Sequence, residues 1–145
     1  MGSDLMLGGL YHLGLTVRDA ERSAAWYTSV LGFERIGDFA APAGERRKVF
    51  LRHPNFDVRF GLTEHRASST DPFDETRLGL DHLAFRASSA AELRDWQARL
   101  ADFGIPHTPV APANSIPGAA VLVFRDPDNI QLEIFYDPTP SGGRG

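Results

Sequence analysis

Hydrophobic and polar residues follow the same order twice along the chain. Each half begins with an alternating β-rich segment, continues with an amphipathic helical pattern and ends with three more strand-like segments. In the first half the predicted helix starts after Asp19, a favourable N-cap, and ends at Gly32, a favourable C-terminal cap. The strands predicted around this helix cover residues 10–17, 33–39, 48–52 and 57–63.

The second half repeats this order. Its helix begins at a capping box, Ser89-Ala90-Ala91-Glu92. A tight turn is predicted at Asp126-Pro127-Asp128-Asn129, between the last two strands. The predicted strands cover residues 80–86, 105–110, 120–125 and 130–136.

Matching residues identify the two halves as an internal repeat. Gly9-Leu10-Tyr11-His12-Leu13 corresponds to Gly79-Leu80-Asp81-His82-Leu83 at an offset of 70 residues, and Trp26 corresponds to Trp96 at the same offset. The sequence therefore predicts a single domain of two βαβββ modules. We expect the modules to cover about 8–65 and 78–138, with a linker over 66–77 and a flexible tail over 139–145.

The repeat places two histidines at equivalent positions. Because side chains alternate between the faces of a strand, His12, His82 and Glu133 are predicted on the face opposite the apolar residues that pack on the helices. Two histidines and one carboxylate are a common ligand set for a divalent metal with open coordination positions. The alternative is that the histidines are hydrogen-bonded structural residues and that Glu133 faces solvent.

Composition argues against several classes of function. A net charge of −4 gives no electrostatic basis for binding nucleic acid or an anionic membrane, and no cysteine is available for disulfides or thiolate ligands. No apolar run approaches the roughly 20 residues of a membrane span, and the first residues lack the pattern of a signal peptide. These features favour a cytoplasmic protein that binds neither nucleic acid nor membrane.

Three stretches of the chain resemble the vicinal oxygen chelate superfamily, which includes glyoxalase I, bleomycin-resistance proteins, fosfomycin-resistance enzymes and extradiol dioxygenases. They are Tyr11-His12-Leu13-Gly14-Leu15-Thr16-Val17-Arg18-Asp19, Gly79-Leu80-Asp81-His82-Leu83-Ala84-Phe85 and Phe124-Arg125-Asp126-Pro127-Asp128-Asn129-Ile130-Gln131-Leu132-Glu133. The resemblance implies an α+β fold, in which the two βαβββ modules form a curved, mostly antiparallel sheet with the helices outside.

The resemblance also implies a set of metal ligands. His12 and His82 match the ligands that this superfamily carries on first strands, and Glu133 matches the ligand on a last strand. Gly61 falls at the position equivalent to Glu133, where glyoxalase I usually has a glutamate ligand. The chain is therefore more similar to three-ligand, dioxygenase-like members. Fe(II) or Mn(II) is the favoured metal, and Zn(II), Ni(II) or Co(II) would also suit these donors.

The implied function is that of an enzyme whose metal chelates a small substrate through neighbouring oxygen atoms, either as a dioxygenase or as a glyoxalase-like lyase or isomerase. His65, at the end of the fourth strand, is the candidate general acid or base. A homodimer is expected. Two arginines for an anionic group, one histidine and three apolar residues are expected to bind substrate: Arg59, Arg86, His107, Phe50, Val123 and Phe135.

Two alternatives have the same fold. A metal-free protein of the bleomycin-resistance type would bind a cationic drug in an acidic, aromatic groove, but no acidic cluster falls on the predicted inner faces. A fosfomycin-resistance-type transferase shares the ligand set of two histidines and a glutamate, so the ligands do not exclude it. The sequence has no clear signature of the potassium and thiol-substrate loop that such a transferase needs.

Overall fold

The structure is a computed structural model that describes residues 4–67 and 70–139. Within these residues the chain forms eight strands and two helices, and it divides into two compact units, Met1–Thr70 and Asp71–Gly145. The repeated order of strand, helix and three strands confirms the predicted α+β class with two βαβββ modules. The elements are β1 (His12–Thr16), α1 (Ala20–Leu31), β2 (Glu34–Ala40), β3 (Arg46–His53), β4 (Phe56–His65), β5 (Leu83–Arg86), α2 (Ala90–Asp102), β6 (Ala111–Pro112), β7 (Ala120–Arg125) and β8 (Gln131–Tyr136).

Each unit contains one four-stranded mixed sheet. In the first unit the strand order is β1-β4-β3-β2, with β1 parallel to β4 and the other neighbours antiparallel. The second unit repeats this order as β5-β8-β7-β6, with β5 parallel to β8. The first and last strands of each module are therefore adjacent, which brings residues from the two ends of the module side by side.

The helix α1 begins and ends where the sequence predicts. The Asp19 carboxylate accepts a hydrogen bond from the backbone N–H of Arg22 at 3.0 Å. Gly32 ends the helix with a φ of 80°, a left-handed conformation that favours glycine. At the end of β3, His53 donates through Nε2 to the Leu31 carbonyl at 2.8 Å and so holds the end of the helix against the sheet.

The core of the first unit is largely aromatic. Tyr27 of α1 is completely buried, and its ring meets Phe33 and Phe60 edge-on, with centroids 5.7 and 6.0 Å apart. Val49 and Leu51 of β3 are also completely buried. Each large apolar side chain contributes about 1.5–3 kcal/mol when it is fully buried. This core fixes α1 over one face of the sheet.

The core of the second unit is largely aliphatic. Leu93 and Leu100 of α2 are completely buried, and so are Leu122 of β7 and Leu132 of β8. Leu93 and Leu100 recur with helical spacing on α2, and Leu122 and Leu132 lie on adjacent strands opposite Ile134 and Phe124 respectively. They fix α2 over one face of its sheet, as the aromatic core does for α1.

The start of α2 differs in one contact from the predicted capping box. The Ser89 hydroxyl accepts from the backbone N–H of Glu92 at 3.1 Å, as expected. The Glu92 carboxylate, however, accepts from the hydroxyl of Ser88 at 2.7 Å and from its backbone N–H at 3.1 Å. These bonds lower the pKa of Glu92. The reciprocal contact is therefore displaced by one residue.

The prediction of a strand over 105–110 is wrong. Within this segment only His107 forms a bridge, with Phe124, and β6 starts just after it. Pro106 and Pro109 have no N–H to donate, so the segment cannot form a regular ladder with β7.

The second part of the predicted linker packs onto the second unit. The backbone N–H of Phe73 donates to the Asp128 carbonyl at 2.9 Å, and the Asn129 side-chain amide donates to the Phe73 carbonyl at 2.9 Å. Arg125 and Glu75 form a bidentate ion pair with N–O distances of 2.7 and 3.0 Å. Residues 71–77, which we call the strap, are thus fixed to the turn between β7 and β8.

Parts of two predicted segments lie outside the described residues. These are Ser68 and Ser69 of the linker and residues 140–145 of the tail. In the part of the chain that the structure describes, neither helix has the length and apolar character needed to cross a membrane.

Candidate functional site

Glu133 lies on the face of the second sheet that is turned away from α2. Its neighbours along β8, Leu132 and Ile134, are buried on the helix side, so alternation places Glu133 on the opposite face. We call the face opposite the helix the open face of each unit. Val123 and Ala84 lie beside Glu133 on the adjacent strands. The Glu133 side chain is 18% exposed, so its carboxylate is sheltered by the sheet but reachable.

His82 brings an imidazole to this carboxylate. It lies directly before β5, which starts three residues later than the sequence predicts. Its Nε2 is 3.6 Å from Oε1 of Glu133. The His82 side chain is 40% exposed, so a ligand can reach the pair from solvent.

Asp81 determines which nitrogen of His82 faces Glu133. Asp81 Oδ1 lies 2.7 Å from His82 Nδ1. A carboxylate can only accept, so Nδ1 carries the hydrogen and Nε2 presents its lone pair toward Glu133. The Gln131 side-chain amide donates to Asp81 Oδ1 at 3.2 Å and to the Asp81 carbonyl at 3.3 Å. Carboxylates placed in this way orient many histidines that bind metals.

A chain of polar contacts continues from Gln131 to the strap. Arg125 donates to Gln131 Oε1 at 3.3 Å and to both carboxylate oxygens of Glu75. The hydrogen bonds from Arg125 are the main reason that the pKa of Glu75 falls to about 2. The same bonds raise the pKa of Arg125. Five side chains are connected in this way: Glu75, Arg125, Gln131, Asp81 and His82.

The equivalent position in the first unit has no carboxylate. Gly61 lies opposite Phe50 in its sheet, as Glu133 lies opposite Val123 in the other. His12 is on β1, and because Leu15 and Val17 are buried on the helix side, alternation along the chain places His12 on the open face. The first unit therefore keeps the histidine of the repeat but not the glutamate.

His12 also lacks the partner that orients His82. The residue before it is Tyr11, whose ring lies edge-on with the two centroids 5.3 Å apart. The Arg59 guanidinium lies 5.9 Å from the centre of the Tyr11 ring. Within the described ranges, no carboxylate is hydrogen-bonded to the His12 ring.

The second unit holds two of the three predicted metal ligands. Among residues 4–67 and 70–139, no group of three or more His, Asp or Glu side chains is close enough to hold a metal ion. His82 and Glu133 come together, and His12 belongs to the first unit. The pair fits a divalent metal, because an Nε2 lone pair and a carboxylate oxygen 3.6 Å apart repel unless a proton or a metal cation lies between them.

Most of the other predicted residues also lie on open faces. His65 ends β4 opposite Arg46 and is exposed. Arg86 ends β5 opposite Phe135 of β8. Phe50 and Val123 lie beside Gly61 and Glu133 respectively, as described above, and Arg59 lies opposite His12.

His107 is the exception. It forms its bridge with Phe124, whose side chain is buried on the helix side, so His107 shares that side of the sheet. Its Nδ1 donates to the Thr108 carbonyl at 2.8 Å. This placement does not support the expectation that His107 lines a substrate cavity, and we assign it no role in the site.

The sequence pattern does not single out Asp81 and Gln131, although each carries a signal. Asp81 directly precedes a predicted ligand, His82, and Gln131 shares the face of Glu133 by alternation. Their contact joins residues 50 positions apart, and no local pattern specifies it.

Known proteins share this architecture. The family model described as Glyoxalase/Bleomycin resistance protein/Dioxygenase superfamily matches residues 9–134. A glyoxylase/bleomycin resistance protein/dioxygenase domain from Frankia sp. EAN1pec is 37% identical, with a TM-score of 0.80 and coverage of 90% of this chain and 98% of that one. A glyoxalase family protein from Enterococcus faecalis is 23% identical, with a TM-score of 0.73 and coverage of 88% and 97%.

A third solved structure is a genomically encoded fosfomycin resistance protein, FosX, from Listeria monocytogenes in complex with Mn(II) and a sulfate ion. It is 19% identical, with a TM-score of 0.68 and coverage of 91% of this chain and 94% of that one. At this level of identity the likeness concerns the fold alone. No curated protein matches the chain.

Proposed function

The chain belongs to the glyoxalase/bleomycin resistance protein/dioxygenase superfamily, and on that premise we propose that it is a divalent-metal-dependent enzyme acting on a small molecule. The observation that carries the proposal is the pairing of His82 Nε2 with Glu133 Oε1 at 3.6 Å on the open face of the second unit. The hydrogen bond that His82 Nδ1 donates to Asp81 strengthens the proposal, because it leaves Nε2 free to bind a metal.

The proposed ligands are His82, Glu133 and His12, the repeat equivalent of His82. Fe(II) or Mn(II) is the favoured metal, and the presence of Mn(II) in the FosX structure supports a divalent ion of this kind. Zn(II), Ni(II) and Co(II) accept the same donors. Asp81 and Gln131 do not bind the metal themselves. Asp81 accepts a hydrogen bond from His82 Nδ1, and Gln131 holds Asp81, so that the His82 ring keeps the orientation that metal binding needs.

A bound metal would supply Lewis acidity, which lowers the pKa of a substrate hydroxyl and stabilises negative charge that develops on the substrate. The side chains of the protein bind and orient that substrate. His65, at the exposed end of β4, is the proposed general acid or base. Val123 and Phe135 flank Glu133 and exclude water from the apolar part of the substrate, and Arg86 can bind an anionic group at the end of β5.

The ligand set favours a site with open positions. Gly61 contributes no carboxylate where Glu133 does in the other unit. Three protein ligands leave room for two neighbouring substrate oxygens and for a further small molecule. If O₂ takes part, the reaction is therefore that of a dioxygenase, which is an oxidoreductase. If O₂ takes no part, the reaction is that of a lyase or an isomerase. A cytoplasmic homodimer, with the ligands drawn from one chain or from two copies, is part of the same proposal.

Metal content is the direct test of this function. Protein purified anaerobically, without chelator or affinity metal, is expected to hold about one equivalent of metal per chain by plasma mass spectrometry. The variant His82→Ala should lose the metal. The variant His107→Ala is the matched control, because it removes a histidine of the same unit on the helix side, and it should keep the metal. Turnover of catechols with and without O₂ then separates oxygenases from lyases and isomerases.

A wild-type protein that contains no metal, and takes up none from Fe(II), Mn(II), Zn(II) or Ni(II), would contradict the proposal. The remaining candidate would be a metal-free binding protein of the bleomycin-resistance type. A cationic drug would fit poorly on the open face of the first unit, since that face presents Arg46, Lys48 and Arg59.

A further inference from the structure

We propose that the open face of the first unit binds an organic oxyanion, a carboxylate or phosphate-type group on a small molecule whose apolar part packs on Phe50. The binding residues are Lys48 of β3 and Arg59 of β4. Binding at this face needs no metal, and its role in recognising the substrate rests on the proposed function.

Strand register places both cations on the open face. Val49, next to Lys48 along β3, is completely buried on the helix side, so Lys48 points away from α1. Phe60, next to Arg59 along β4, is also buried, and Arg59 pairs with His12 of β1. Lys48 and Arg59 therefore lie on the same face as the proposed ligand of this unit.

The surface between the two cations is open and apolar. Phe50 and Gly61 lie opposite each other in the sheet, and along their strands they fall between Lys48 and Arg59. Phe50 is 37% exposed. A Cβ atom at Gly61 would meet nothing nearer than 4.0 Å, so the missing side chain leaves room for a ligand. Because the two cations flank the Phe50–Gly61 pair along their strands, we infer that their long side chains can both reach a small molecule on the Phe50 ring.

Neither of the two proposed binding cations forms an ion pair within the described residues. In the described part of the chain, neither Lys48 nor Arg59 has a carboxylate within ion-pair distance, and the same holds for Arg46, two residues before Lys48. At the end of the same sheet Arg52 is paired with Glu34 at 2.9 Å. Unpaired cations beside an apolar surface attract and hold oxyanions.

The second unit shows that the fold does not require these cations. In the register of the second sheet, Val121 occupies the position equivalent to Lys48. Gln131 occupies the position equivalent to Arg59. The two sheets have the same strand order and pairing directions. The cations therefore belong to the ligand surface of the first unit and not to the packing of the fold.

The charges favour a small ligand over a polymer. The guanidinium of Arg59 can form two parallel hydrogen bonds to a carboxylate or phosphate, and Lys48 adds a compact charge. The chain as a whole has a net charge of −4, which disfavours an extended polyanion such as a nucleic acid.

An NMR titration of chelator-treated protein tests the proposal with two probes, inorganic phosphate and benzoate. We expect saturable shifts of amide signals in β3 and β4. The probe that binds more tightly shows whether the site prefers a phosphate-type or a carboxylate ligand. Lys48→Met and Arg59→Gln should each weaken binding roughly tenfold or more. Lys48→Arg keeps the charge and should largely retain binding. Arg94→Gln removes an exposed charge from α2 and should leave binding unchanged.

The proposal would be overturned by no saturable shifts in these strands with either probe, by wild-type affinity in both Lys48→Met and Arg59→Gln, or by an equal loss in Arg94→Gln. Binding of a single-stranded oligonucleotide but of neither small probe would also overturn it. Because the protein in this titration is metal-free, anion binding and metal binding can succeed or fail independently. Preserved amide dispersion in each variant shows that the unit remains folded.

Discussion

The two units share one strand ladder but differ at the centre of their open faces. In the second unit Glu133 lies beside His82 and can attract a metal cation. In the first unit Gly61 takes the equivalent place, and the surrounding charges are the cations Lys48 and Arg59. The two units share the fold and the histidine but differ in the charge of their open faces. We infer that the second unit supplies the carboxylate and an oriented histidine for the metal, whereas the first unit supplies His12 and the cations that bind an anion.

The residue that precedes the histidine also differs between the two units. Asp81 accepts from His82 and is itself held by Gln131. Tyr11 offers the edge or face of a ring to His12 and no carboxylate. The His82 ring is therefore oriented before a ligand arrives, whereas within the described residues no carboxylate orients the His12 ring.

Removal of the carboxylate from the second unit should have the largest effect. Glu133→Gln keeps the shape of the side chain but removes its charge, and we expect metal affinity to fall by more than about a hundredfold in competition with a chromophoric chelator. Gly61→Gln places the same side chain at the equivalent position of the first unit and should leave metal affinity unchanged. Equal losses in the two variants would contradict the division between the units.

Loss of the orienting carboxylate should have the next largest effect. Asp81→Ala frees the His82 ring, and we expect metal affinity to fall by about 10–100-fold. Asp81→Asn can still accept from Nδ1 through its amide oxygen and should recover much of the affinity. Tyr11→Ala, at the equivalent position of the first unit, should have little effect. An unchanged affinity in Asp81→Ala would show that His82 needs no orienting partner.

A carboxylate introduced into the first unit should weaken anion binding. Gly61→Glu places a negative charge between Lys48 and Arg59, at a position where a Cβ meets only ordinary contacts. We expect the affinity for inorganic phosphate to fall roughly tenfold, since the new carboxylate competes for the same cations. Gly61→Gln has nearly the same size without the charge. If Gly61→Gln weakened phosphate binding as strongly as Gly61→Glu, the size of the new side chain and not its charge would be responsible.

The smallest effect should come from the strap. Arg125 lowers the pKa of Glu75 from its ordinary 4.5 to about 2. The ion pair therefore contributes stability above about pH 4.5, and this contribution is lost as the pH falls toward 2. Glu75→Gln should lower the melting temperature by at most a few degrees at neutral pH, and the difference from the wild type should vanish near pH 2.

The contribution of the Glu75–Arg125 ion pair to stability can be measured separately by repeating the Glu75 substitution in a protein that lacks Arg125. In an Arg125→Met protein, Glu75→Gln should have almost no effect on the melting temperature at any pH, because the partner is already absent. The same pH-dependent difference in both backgrounds would mean that Glu75 acts through some other contact.

The features that could be predicted from the sequence depend on local patterns. Asp19 and Gly32 act on the ends of α1 within a few residues, and Tyr27 lies on the apolar stripe of that helix. The shared face of His82 and Glu133 follows from alternation together with the repeat. Caps, alternation and the repeat can all be read from the sequence itself, so these features can be predicted without the tertiary structure.

The features that could not be predicted depend on distant partners or on missing donors. The strand expected over 105–110 fails because two prolines interrupt its hydrogen bonding, although its apolar pattern suggests a strand. The contacts of Gln131 with Asp81 and of Arg125 with Glu75 join residues 50 positions apart. Such contacts depend on side-chain conformations, which the periodicity of the sequence does not specify.

Pulsed electron paramagnetic resonance of the Mn(II)-loaded protein, with ¹⁵N-labelled histidine, tests the proposed ligand set most directly. We expect coupling to two imidazole nitrogens, of which one disappears in His12→Ala and the other in His82→Ala, while His107→Ala keeps both. Mn(II) without histidine coupling, or coupling that persists in both ligand variants, would contradict the proposed ligand set.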